Sequence, residues 1–98
     1  MFVRIIKSYR DIVAICDSEL LGKKFEEGDF QLDVKESFYK GEKMNEKQVL
    51  NVMIKMSGED ATFNIIGKKS VDLAISTGII SRQGIKTIQG IPFAMVLM

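Results

Sequence analysis

The chain has 98 residues, 46% of them hydrophobic and 28% charged, with a net charge of +1 at pH 7. That is enough for one domain with its own core, and it fits neither a disordered segment nor a membrane span. With one cysteine and no histidine, an internal disulfide framework and Cys–His or Ser–His–Asp catalysis within the chain are excluded, and a zinc site would have only carboxylates to rest on.

The N-terminal stretch MFVRIIKSYRD has charges scattered through it and does not read as a signal peptide, so a cytoplasmic protein is expected. Phe2–Lys7 and Ile12–Cys16 are short runs rich in Ile and Val around Ser8-Tyr9-Arg10-Asp11, the spacing of a β-hairpin. Ile12–Ile15 is continuously apolar, which predicts a strand covered on both faces. Asp17–Asp29 mixes charges with two glycines and reads as an ordered connection pinned by Leu20, Leu21 and Phe25, with positive φ expected at Gly22 and Gly28.

Phe30–Lys35 alternates strictly between apolar and polar residues and predicts a half-buried strand that ends at Phe38-Tyr39. Asn45 and Gln48 form a capping-box pair before a stripe of Val49, Leu50, Met53 and Met56, a helix closed by Gly58. Ala61–Ile80 reads ATFNIIGKKSVDLAISTGII: an apolar run, Gly67, then a helix with Val71, Ala74 and Ile75 on one face and Gly78 as its C′ residue. Ile85–Ile88 and Ile91–Leu97 are further strands joined around Gln89-Gly90, the last beginning at Pro92. The expected fold is a single α+β domain over 1–98, with about five mostly antiparallel strands and two helices packed on the sheet.

Chemistry is expected first at the Gly67 helix start. Unpaired N–H groups and the helix dipole attract anions there. Lys68 and Lys69 oppose that dipole unless an anion is bound, so Gly67, Lys68, Lys69 and Ser70 are candidates for a phosphate contact, with Arg82 and Lys86 adding charge. The plain alternative is a turn followed by a solvated face. Residues 61–98 carry net +3 and residues 1–60 net −2, which turns the basic side toward this segment. Ile65-Ile66-Gly67-Lys68-Lys69-Ser70 is similar to the glycine loop of KH domains, which hold single-stranded nucleic acid, with Ser70 in place of the second glycine. Asp17, Glu19, Glu26, Glu27 and Asp29 read as solvated loop charges rather than an acid–base pair. Tyr9, Phe38 and Tyr39 read as packing aromatics before base-stacking platforms, and Met44, Met53, Met56, Met95 and Met98 as fillers of core gaps.

Cys16-Asp17, Glu19–Lys23, Phe25, Glu27-Gly28, Phe38-Tyr39, Gly41, Asn64–Gly67, Ala74-Ile75, Gly78 and Gly90–Pro92, taken together and in order, resemble the archaeal domain-of-unknown-function family numbered 424. The resemblance implies an α+β cytosolic protein of archaeal type without an established activity, and a role near translation. Phe93 stands where many relatives carry a histidine. The leading expectation is therefore an RNA- or ribonucleoprotein-binding accessory protein in translation. The alternative is a protein-interaction module that docks on a translation factor or self-associates by its sheet edges. An enzyme acting on a phosphorylated small molecule comes last. No cofactor, metal or membrane partner is expected.

Overall fold

The computed structural model describes residues 1–97; Met98 lies outside them. In chain order the elements are β1 (Phe2–Ile6), β2 (Ile12–Cys16), β3 (Lys24–Glu27), β4 (Phe30–Asp33), α1 (Glu36–Tyr39), β5 (Glu42–Lys43), α2 (Glu46–Ser57), β6 (Thr62–Ile66), α3 (Lys68–Thr77), β7 (Lys86–Ile88) and β8 (Ile91–Leu97). Six strands form one sheet in the order β5-β1-β2-β6-β8-β7, and β3 and β4 form a separate two-stranded ribbon. The α+β class and the predominance of antiparallel pairs agree with the sequence reading.

The β1–β2 hairpin pairs Ile6 with Ile12 and Phe2 with Cys16. β2 then pairs in parallel with β6, Ile12 opposite Thr62 and Cys16 opposite Ile66, so both strands end at the same level. Val13, Ala14, Ile15 and Cys16 have no exposed surface, as a continuously apolar strand covered on both faces requires. β7 and β8 are joined by Gln89 and Gly90, both at positive φ, the backbone of a tight hairpin turn matched to strand twist.

One face of the sheet carries α2 and α3. Val49, Met53 and Met56 of α2 and Val71 and Ala74 of α3 pack on Val13, Ile15, Phe63, Ile65 and Ala94. The predicted capping box is present: Gln48 N donates to Asn45 Oδ1 and Asn45 N to Gln48 Oε1, each at 2.9 Å, which pairs two of the helix's orphan donors. α3 ends on Gly78 in the left-handed conformation, φ 82°, as predicted.

The other face is covered by residues 17–44. Leu20, Leu32, Val34 and Tyr39 pack on Ala14, Cys16, Ile66 and Ile88. Here the structure departs from the sequence reading in two places. Lys24–Glu27 is a strand paired with β4, Phe25 opposite Leu32, where the sequence reads as a pinned connection; its mixed charges hide a ribbon whose exposed residues face water. Gly22 and Gly28 have the predicted positive φ. Phe38 and Tyr39 lie in α1 rather than at a strand end, with rings in edge contact at 5.0 Å, and Tyr39 is buried.

The cover on this second face is incomplete. The registers define lateral rows across β1, β2, β6 and β8. The row Phe2–Cys16–Ile66–Phe93 lies under the 17–44 segment, whereas Ile6–Ile12–Thr62–Leu97 forms the opposite end of the same face. Met95 is 68% and Leu97 71% exposed, so Met95 does not fill a core gap as its type suggests; Met53 and Met56 do.

Burial also sets the chemistry of Cys16. Removal from water, with the Asp17 carboxylate beside it, pushes its thiol up to about 11. Burial likewise raises the Tyr39 hydroxyl to about 12. The unfolded thiol ionises near pH 9 while the folded one stays protonated, so the unfolded state binds fewer protons and stability falls as pH rises from 9 toward 11. The expected loss at Cys16 is about 2 kcal/mol, flat below pH 9. Urea titrations at pH 8 and pH 10.5 check it: Cys16→Ala should remove most of the difference, and an equal drop in both proteins refutes it.

Candidate functional site

The Gly67 helix start carries an anion, and the anion belongs to the chain itself. Because β2 and β6 are parallel and end together, Asp17, the residue after β2, lies beside Gly67, the residue after β6, and Asp17 N donates to Ile66 O at 3.0 Å. The Asp17 carboxylate then turns onto the first turn of α3. It accepts from Lys69 N at 3.1 Å, from Ser70 N at 2.9 Å and from Ser70 Oγ at 2.7 Å. Asp17 is 3% exposed and Ser70 is fully buried. A carboxylate against orphan N–H groups at the positive end of a helix is the arrangement the dipole favours.

Gly67 makes room for it. Its backbone has φ 110° and ψ 154°, a region open essentially to glycine alone, and a Cβ added there would lie 2.3 Å from Asp17 Cγ. Of the N–H groups expected to hold an external phosphate, those of Lys69 and Ser70 are thus committed to Asp17 and that of Gly67 to Pro92 O, and the cost of two lysines at this helix start is offset from within. Ser70, read as a substitute for the second glycine of a nucleic-acid loop, has its hydroxyl bound to Asp17. Asp17 itself was predicted as a solvated loop charge, and that reading is corrected: it is a buried cap.

The six predicted ligand residues do not form one patch. Gly67–Ser70 stay together, with Lys68 exposed and reaching Asp72 at 3.4 Å. Arg82 belongs to the segment that follows Gly78 at the far end of α3, between that helix and β7. Lys86 is opposite Phe93, which is itself opposite Ile66, so it sits two strands across from the helix start.

A second feature appears at the other end of the sheet. Gly67 N donates to Pro92 O at 2.8 Å, so the Pro92 carbonyl points toward β6. Backbone polar groups alternate sides along a strand; those of Phe93, Met95 and Leu97 therefore point away from β6. Phe93 has Lys86 of β7 on that side. β7 stops there, so Met95 and Leu97 face no strand of the sheet. This flank carries no charged side chain from Ala94 to Leu97. At the opposite edge, β5 pairs only with Phe2 and Val3, but the uncovered part of β1 holds Arg4, whose guanidinium donates to Ser37 O, and is followed by Lys7. Charge and cover protect one edge and not the other.

Residues 6–98 match the family described as a protein of unknown function, DUF424. The chain belongs to the DUF424 family. A crystal structure of an uncharacterized conserved protein from the archaeon Methanopyrus kandleri has the same fold as this DUF424 chain, with a TM-score of 0.82 over 98% of this chain and 90% of that one, at 19% identity. No curated protein matches the chain. Among the described residues no helix is long and apolar enough to cross a membrane. For this DUF424 chain, Asp17 and the β8 flank are the two features that sequence reasoning missed. Asp17 had one signal, an acidic residue directly after a fully apolar strand; the flank had the uncharged run Phe93–Leu97.

Proposed function

We propose that this protein is a protein-interaction module that takes an extended segment of a partner protein onto the free flank of β8. The observation that carries the reading is the unprotected stretch at Met95 and Leu97: outward backbone donors and acceptors, exposed apolar side chains and no charge. A strand added there would gain main-chain hydrogen bonds and cover both side chains, the mode known as β-augmentation. The RNA reading keeps Lys68 and Lys69 as exposed cations, but without free N–H groups at Lys69 and Ser70 to receive a phosphate.

The test is a selection of random seven-residue peptides on the purified protein, followed by amide hydrogen exchange with the selected peptide bound. Protection at the Met95 and Leu97 N–H groups is expected, together with at least tenfold weaker binding by Met95→Pro, which removes an outward donor and leaves the bonds to β6 in place. Binding unchanged in Met95→Pro refutes the proposal. A parallel titration with short single-stranded RNA that shifts Lys68 and Lys69 in a salt-sensitive way would return the function to nucleic acid.

A further inference from the structure

The flank of β8 does not end in open solvent where β7 begins. Gly84, Lys86, Phe93, Ala94 and Met95 line a cleft of about 200 Å³ at that junction. A second cleft, of about 330 Å³, is lined by Glu27, Phe30, Lys86, Thr87, Ile88 and Phe93. The two adjoin at Lys86 and Phe93, which line both, and together make up a groove that runs from the β8 flank toward the tip of the β3–β4 ribbon. Its far part is apolar. Ile88 is buried and Phe93 half-buried, while Phe30 stands 73% exposed as a wall. The ribbon tip is held in place from the other side: Gln89 N donates to Glu27 Oε1 at 2.9 Å and Gln89 Nε2 to Glu26 O at 2.6 Å.

The charges in the groove are not equivalent. Glu27 is engaged by Gln89, whereas the Lys86 ammonium has no hydrogen-bond or ion-pair partner among the described residues. Lys86 is directly opposite Phe93 and shares its face of the sheet, which puts a free cation beside an apolar hollow. A side chain on a strand laid against Met95 would be one residue pair from this hollow, about 7 Å along the strand, within reach of a large side chain.

We infer that the groove reads the sequence of the bound segment: the Phe30–Ile88–Phe93 hollow takes one large apolar or aromatic side chain, and Lys86 takes a carboxylate two residues away on the same face of the strand. This rests on strand addition at β8. The occupant is thus an acidic, aromatic-bearing extended peptide. An aromatic side chain seated in an apolar pocket, with a charged group of the peptide meeting an opposite charge at the pocket's rim, is an anchor pattern of peptide grooves.

The probes are acetylated seven-residue peptides of alternating Thr and Val, with one position Phe or Ala and the position two residues on, which shares its face of the strand, Glu or Lys. The Phe–Glu peptide is expected to bind at least tenfold more tightly than the Ala–Glu and Phe–Lys peptides. Phe30→Ala, at an exposed position that leaves the fold intact, should abolish the preference for Phe. Lys86→Glu should reverse the preference from Glu to Lys. If all four peptides protect Met95 and Leu97 equally, the groove inference fails and strand addition stands. If none protects them, strand addition fails with it. Concentration-dependent protection of the same amides without peptide would assign the flank to a second copy of the chain and overturn the inference.

Discussion

Asp17→Ala is expected to destabilise the protein by about 3 kcal/mol, among the largest effects of any single polar truncation in this chain. The carboxylate accepts from two backbone N–H groups and the Ser70 hydroxyl in a site with almost no solvent. Removing it leaves two buried donors on Ser70 and a part-buried one on Lys69 without a partner, and a buried unsatisfied donor costs about 1–3 kcal/mol. It also takes the negative charge from the positive end of α3 while Lys68 and Lys69 remain. Asp17→Asn keeps the volume and one acceptor and should lose about half as much. Ser70→Ala, which removes a single bond, should lose about 1 kcal/mol. The chain has no tryptophan, so far-UV circular dichroism in urea is the suitable readout. A loss below 1 kcal/mol for Asp17→Ala would mean that water replaces the carboxylate freely and that the cap is not a structural element.

Gly67→Ala is expected to cost about as much for a different reason, and the two changes should not add. Alanine at φ 110°, ψ 154° is strained by about 1–3 kcal/mol whatever surrounds it. In addition its Cβ would lie 2.3 Å from Asp17 Cγ, so the cap has to move. In the Asp17→Ala background that collision is gone and only the backbone strain remains. The double mutant should therefore be more stable than the sum of the single losses predicts, by at least 1 kcal/mol, a coupling typical of residues in direct contact. Strict additivity would show that Gly67 is chosen for its backbone alone.

These two residues also show where the sequence was readable. Local patterns were enough wherever one element decides its own shape: the Asn45–Gln48 box, the stripe of Val49, Met53 and Met56, the Gly78 terminus and the Gln89-Gly90 turn all depend on neighbours a few positions away. Lys24–Glu27 was missed because its alternation is weak and its partner strand supplies the missing regularity. Asp17 was missed for a stronger reason. Its role exists only because β2 and β6 are parallel and in register, and no periodicity in either segment states which strand lies beside which. The lysines at the helix start point to a place for an anion; they carry no information on whether the chain itself supplies one. The β8 flank is a similar case, since an edge is a property of strand order.

The parallel pairing has a kinetic consequence. Every β2–β6 contact joins residues 50 positions apart, and the Asp17 cap spans 52 and 53. Closing a loop of that length must come before any of these bonds can form, which places the pairing among the slow, high-contact-order steps of folding. The β1–β2 and β7–β8 hairpins and the capped α2 helix are local and form early by comparison. Until the two halves meet, α3 lacks its N-terminal cap, and the basic helix start is open to any anion in solution.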